Sequence, residues 1–143
     1  MTIASSQIKS PSIQLDGLFI LLKRNMLVTI MGRGAESVLA VEDKAGIVSI
    51  VYYADGRRAV VECNKGIYIY GGRCLNNESV SSFRVNFAND AELCGNLISV
   101  IRDFFLDGII PVPLEESLEI QAIMQVTEDS IVTRRVEPVK WKT

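Results

Sequence analysis

Histidine is missing from all 143 positions of this chain. Its absence removes the commonest general acid/base near neutral pH. It also removes every Ser–His and Cys–His nucleophile pair, and zinc and non-haem iron sites lose their usual imidazole ligand. Cysteine is scarce. Cys63, Cys74 and Cys94 are odd in number and widely spaced, with no Cys-x-x-Cys, so neither a zinc knuckle nor a redox pair is written here and three reduced thiols are expected. No basic surplus exists: 15 Lys and Arg face 17 Asp and Glu, for a net charge of -2. Nucleic-acid binding usually needs such a surplus, and Arg57-Arg58 and Arg134-Arg135 read as isolated solvated pairs.

Long apolar runs are lacking too. Leu18-Phe19-Ile20-Leu21-Leu22 ends at Lys23-Arg24-Asn25, whereas a membrane span needs roughly 20 apolar residues. The opening Met1-Thr2-Ile3-Ala4-Ser5-Ser6-Gln7 is polar and has no apolar leader core. It reads as a natural start, and the chain is expected to be cytoplasmic.

What is present is a globular composition, 48% hydrophobic and 22% charged, in a length that suits one domain. Residues 1–9 are expected to be a flexible tail, and 10–143 a single α+β domain. Ser10-Pro11 reads as a helix start. Leu15, Leu18, Phe19, Leu22, Met26 and Ile30 then recur at helical spacing, and Gly32 and Gly34 stop the helix. Strands are expected at Ser37 to Val41, Gly46 to Tyr53 and Arg57 to Cys63, the last two joined by an Asp55-Gly56 hairpin. Asn64-Lys65-Gly66 turns into Ile67 to Tyr70, Gly71-Gly72 breaks that run, and Arg73 to Leu75 resumes it. After the loop Asn76 to Ser79, Ser82 to Phe87 is the last strand.

The end is helical. Asn89 with Glu92 makes a capping-box-like start, and Leu93, Leu97, Val100, Ile101, Phe104 and Phe105 form an apolar face. Gly108 closes that helix, and Pro111 and Pro113 hold an extended link. A final helix runs from about Glu115 to Thr133, with Pro138 in the tail beyond it. The fold class is therefore α+β: an antiparallel-rich mixed sheet with helices packed on one face.

Residues 47–53 alternate Ile47, Ser49, Val51, Tyr53 against Val48, Ile50, Tyr52, and both sets are largely apolar. A sheet wet on one side should alternate apolar and polar. The second face is expected to be covered, by a partner chain or by loops of this chain, and Val48, Ile50, Val51 and Tyr52 are candidate dimer-face residues.

Motifs with chemistry are few. Met31-Gly32-Arg33-Gly34 resembles a phosphate loop but follows a helix and lacks a third glycine. Glu115, Glu116 and Glu119 are a carboxylate cluster or simple compensation of a helix dipole. Tyr52, Tyr53, Tyr68 and Tyr70 suit stacking on a ligand or packing in a sheet. Trp141 is a loose end or a small docking residue.

Several of these segments together resemble the second domain of the glucose–fructose oxidoreductase/inositol dehydrogenase/MocA family. They are Met31-Gly32-Arg33-Gly34-Ala35-Glu36-Ser37-Val38, Tyr53-Ala54-Asp55-Gly56-Arg57, Tyr70-Gly71-Gly72, then Phe104-Phe105, Asp107-Gly108, Glu115-Glu116-Ser117-Leu118-Glu119-Ile120, Ser130 and Val136. The resemblance covers roughly residues 20–140. It implies a sheet-and-helix fold whose open sheet face commonly forms the subunit interface. Such proteins carry NAD(P) on a separate nucleotide-binding domain with a Glu-Lys-Pro lysine, and neither signature occurs here. Their frequent histidine would fall near Leu22, and a usual glycine before the last strand is replaced by Thr133-Arg134-Arg135.

The resemblance thus implies a fold and an assembly mode without an active site. The expected role is a non-catalytic homodimeric binding or scaffold domain that binds no cofactor, nucleic acid or membrane by itself. A full-length or Rossmann-only relative is a further possible partner. One alternative is the substrate-side half of a split NAD(P)-dependent oxidoreductase completed by a separate Rossmann chain, with Tyr70, Gly71, Gly72 and Arg73 facing substrate or partner. The other is a small acidic chaperone or adaptor for another polypeptide.

Overall fold

The computed structural model of the chain describes residues 2–3, 26–66, 70–76, 78–84 and 90–140. In chain order the elements are β1 (Thr2–Ile3), helical residues 26–31 (α1), β2 (Ala35–Glu42), β3 (Gly46–Tyr53), β4 (Arg58–Asn64), β5 (Gly71–Leu75), β6 (Val80–Arg84), α2 (Asp90–Asp107), α3 (Leu114–Thr133) and β7 (Glu137–Pro138). The strands form one sheet in the order β6-β5-β1-β4-β3-β2-β7. Every pairing is antiparallel except β1 with β4. The α+β class and the antiparallel-rich mixed sheet stand as the sequence indicates.

β2, β3 and β4 are the longest strands, and the central one, β3, is the richest in β-branched residues, with Ile47, Val48, Ile50 and Val51. β3 has the limits read from the sequence, whereas β2 extends past both ends of the expected Ser37 to Val41. The β3–β4 hairpin closes on Asp55-Gly56: Tyr53 N–H donates to Arg57 O (3.0 Å), and Asp55 Oδ1 accepts from the Arg57 N–H (3.0 Å).

Three differences from the sequence reading have physical causes. Thr2–Ile3, inside the stretch expected to be a loose tail, pair with Val60–Val61 of β4 and with Arg73 of β5. A backbone that satisfies its polar groups on both sides is a strand, however polar its neighbours. Gly71-Gly72 open β5 instead of breaking a strand. A Cβ at Gly71 would lie 2.9 Å from the carbonyl oxygen of Phe83 in β6, so glycine lets the two strands close together. Pro138, which reads as tail from local pattern although the resemblance implies a last strand there, belongs to β7 and pairs with Ser37 at the sheet edge, where a missing N–H costs no ladder bond. The expected helix before Met26, the strand at 67–69 and the end of the strand at 85–87 lie outside the described residues.

The core sits between one face of the sheet and the helices α1 and α3. Val38, Ala40, Val51, Ala59 and Val61 meet Leu27 and Val28 from α1 and Ile120, Ile123 and Val126 from α3. α1 stops at Gly32 (φ 75), whose N–H donates to Val28 O. α3 stops at Arg134, which takes the left-handed conformation (φ 57) and donates its N–H to Ser130 O (2.8 Å). Arg134 thus does at the end of α3 what a glycine ordinarily does. α2 behaves differently. Leu97, Val100, Ile101, Phe104 and Phe105, expected to form a packing face, are all exposed.

Candidate functional site

Pairing registers divide the sheet into two faces. Val51 is opposite Val38 and Ala59, and Ser49 is opposite Ala40 and Val61. These residues are buried beneath α1 and α3. The other parity gives the open face. Ile50 is opposite Leu39 and Val60, Val60 is opposite Thr2, and Thr2 is opposite Arg73. Val48 is opposite Val41, and Tyr52 is opposite Ser37 and Arg58. Val41 is 60% exposed and Val48 40%, while Leu39, Ile50, Tyr52 and Val60 are half-buried. Among the described residues no helix lies over this face.

Val48, Ile50 and Tyr52 therefore share the open face, as candidate interface residues should. Val51 does not. At 1% exposure it belongs to the core, because successive strand residues point to opposite sides. Ile50, Val51 and Tyr52 are consecutive, so the three cannot all face one partner.

Tyr70, Gly71, Gly72 and Arg73 separate in the same way. Tyr70 is buried, and burial, with a smaller contribution from nearby Cys63, pushes its hydroxyl pKa up to about 12. Gly71 is buried as well, and Gly72 is half-buried. Arg73 is exposed on the open face, in line with Thr2, Val60 and Ile50. Only Arg73 of the four presents a charged group there, at the edge of the apolar area.

A second constellation forms where α1, the start of β2, the β3–β4 hairpin and the first turns of α3 meet. Glu119 is fully buried. Its Oε1 accepts from the N–H groups of Gly34 (2.7 Å) and Ala35 (2.8 Å). Its Oε2 lies 3.6 Å from Arg33 Nε. Gly34 has φ 108, a backbone conformation that a side chain would strain, and it turns two successive N–H groups toward the carboxylate.

Beside this pair, Arg57 lies over the Tyr53 ring at 5.0 Å, donates to Met31 O (2.6 Å) and pairs with Asp55 Oδ2 (2.6 Å). The Arg57 N–H and then its side chain hold the Asp55 carboxyl below its usual range. Burial, then the nearby Glu119 carboxylate, pushes Tyr53 up to about 12, against the lowering effect of Arg57.

Three of the segments that carry the family resemblance thus converge on one corner, where they clasp the elements together. Glu119 parts company with Glu115, which is exposed, and Glu116, which is half-buried, so the three are not a carboxylate cluster. The sequence held a signal for this. Glu119, Ile123, Val126, Thr127 and Ser130 follow helical spacing on the stripe that α3 buries, so a carboxylate sits in line with core residues. Among the described residues, no three His, Cys, Asp or Glu side chains group as a metal set. No described helix is long and apolar enough to cross a membrane.

No protein-family model matches the sequence, and no curated protein is significantly similar to it. Among solved structures, a protein of Sinorhizobium meliloti 1021 described as a myo-inositol dehydrogenase has the same fold over 97% of this chain, with a TM-score of 0.69 and 15% sequence identity. This chain spans 56% of that protein's length. The fold is that of just over half of an inositol-dehydrogenase-like chain, the architecture that the sequence resemblance implied.

Proposed function

We propose that this chain is a non-catalytic sheet domain that assembles as a homodimer through its open face and serves as a binding or scaffold protein. One observation carries the reading. Leu39, Val41, Val48, Ile50, Tyr52 and Val60 make an apolar area across three neighbouring strands, and the helices that build the core lie on the other side. A wet antiparallel face would carry polar residues at these positions. Two such faces brought together would form a sandwich with a dry centre.

The solution mass, measured by light scattering, tests this. A dimer is expected, and Ile50→Asp is expected to give a folded monomer because it would bury an unpaired charge in the interface. Val51→Asp, one residue away, should unfold the chain. A wild-type monomer, or a folded Ile50→Asp protein that stays dimeric, refutes the sheet interface.

A second reading draws on the 56% span. Here the chain is the substrate-side half of a split oxidoreductase, and a separate nucleotide-binding chain supplies NAD(P) and a lysine. Arg73, exposed at the edge of the open face, is then the residue placed to meet an anionic group. NAD(P)H fluorescence, titrated with this chain alone, should not change in either reading. Saturable binding would overturn the non-catalytic assignment.

A further inference from the structure

The open sheet face is not the largest apolar exposure on the molecule. Twelve large apolar residues between Leu97 and Leu118 are each at least 42% exposed. Phe105 reaches 76%, Leu106 74% and Ile110 67%. With a helix turning 100° per residue, Leu97, Ile98, Val100, Ile101, Phe104 and Phe105 fall within an arc of about 160°. Phe104 and Phe105 pack edge to face, 5.2 Å between centroids. An apolar exposure of this size marks an interaction site on a folded protein.

Charge identifies the occupant. Residues 90–133 hold nine carboxylates and a single base, Arg102. Arg102 is already engaged by Asp103 at 2.7 Å. The Arg102–Asp103 pair cancels, and the apolar surface is left bordered by the carboxylates Asp107 and Glu115, with no unpaired base among residues 90–133. A second copy is a poor fit, because a two-fold contact brings each patch against itself and would set acidic border on acidic border. An anionic membrane surface is repelled for the same reason.

We propose that the exposed face of α2, together with the 109–114 link, docks another polypeptide through a segment that is apolar at its centre and flanked by lysine or arginine. The surface is separate from the open sheet face, so failure of one assignment leaves the other standing.

The test uses the intact chain and two labelled 18-residue amphipathic helical peptides, followed by fluorescence anisotropy. Both peptides carry leucine on one face. One carries lysine on the other face, and the second carries glutamate there. The lysine peptide is expected to bind at least about 100-fold more tightly than the glutamate peptide.

The double substitution Ile98→Ser/Phe105→Ser should weaken lysine-peptide binding about tenfold or more. Asp107→Asn/Glu115→Gln, which neutralises two exposed carboxylates, should weaken it several-fold, as should high salt. Val132→Ser, an exposed position elsewhere on α3, serves as the control and should bind as the parent does. Circular dichroism confirms that each variant is folded.

Failure of the lysine peptide to bind, equal binding of the two peptides, or unchanged binding by both double variants overturns the proposal. So does a dimer in light scattering that Ile98→Ser/Phe105→Ser converts to monomer, since the surface would then belong to a second copy.

Discussion

α2 and α3 are consecutive helices of 18 and 20 residues, yet they relate to the sheet in opposite ways. α3 buries Ile120, Ile123 and Val126 against the strands, whereas α2, richer in large apolar residues, leaves Leu97, Ile98, Phe105 and Leu106 exposed. Hydrophobicity does not separate them. Polar groups do. Glu119 near one end of α3 accepts from Ala35 N–H at the start of β2, and Ser130 near the other end accepts from Ala40 N–H (2.9 Å).

The two side chains are eleven residues apart on a helix, a rise of about 16.5 Å. Ala35 and Ala40 are five residues apart on β2, a comparable span of at most about 16.5 Å, shortened by the irregularity between Ala35 and Ser37. Helix and strand therefore run in matched register, fixed at both ends by backbone donors that β7 does not pair. Non-directional apolar contact lets a helix slide, whereas two buried hydrogen bonds of fixed spacing do not.

The largest effect should come from breaking the first of these fixed points. Glu119→Ala leaves the Gly34 and Ala35 N–H groups without their acceptor, and should cost about 3 to 5 kcal/mol, the sum expected for two hydrogen bonds to a charged group. Glu119→Gln keeps an acceptor and should cost clearly less. Urea unfolding of the two variants decides it. Equal losses would mean that Glu119 acts by volume rather than as an acceptor.

The comparison between the helices sharpens when the same kind of truncation is made in each. Ile123→Ala in α3, at 0% exposure, should cost about 3 kcal/mol. Phe105→Ala in α2 removes a larger side chain and should cost no more than about 0.5 kcal/mol. A large loss at Phe105 would show that α2 packs within the monomer in solution. Ser130→Ala comes next. It removes the acceptor for Ala40 N–H and the donor to Arg135 O (2.6 Å), for about 1 to 2 kcal/mol.

The same contrast explains what the sequence could and could not convey. Strand limits at Gly46 to Tyr53, the Asp55-Gly56 turn and the two last helices follow from local periodicity and turn chemistry, and these were legible. So was the apolar character of both faces of β3. Val51 does not belong with the partner face, since alternation along β3 puts it on the side away from Ile50. The pairing of Thr2–Ile3 and the close approach at Gly71 depend on what lies beside them in space, which no local pattern encodes. Glu119 lies between these cases. Its place on the buried stripe of α3 was readable, but its partners, more than eighty residues earlier in the chain, were not.

The smallest effect concerns Tyr53, whose buried hydroxyl has no hydrogen-bond partner among the described residues. Tyr53→Phe removes that hydroxyl and should change stability at pH 7 by no more than about 0.5 kcal/mol, with a gain as readily as a loss. At alkaline pH the variant should differ. Burial raises the folded-state pKa of Tyr53 from 10.0 to about 12, so the folded chain favours the neutral phenol more than the unfolded chain does. That contribution is intact below pH 10 and lost as pH rises from 10 to 12. Tyr70, raised to about 12 as well, contributes in the same window. Unfolding midpoints measured from pH 9 to 12 should therefore fall less steeply for Tyr53→Phe than for the parent, with the slope contributed by Tyr70 remaining. Parallel curves would mean that the Tyr53 phenol is as readily ionised in the fold as in the open chain. The corner where α1, β2, the hairpin and α3 meet would then be open to water, and α3 would lose the buried setting that makes Glu119 a fixed point and distinguishes this helix from α2.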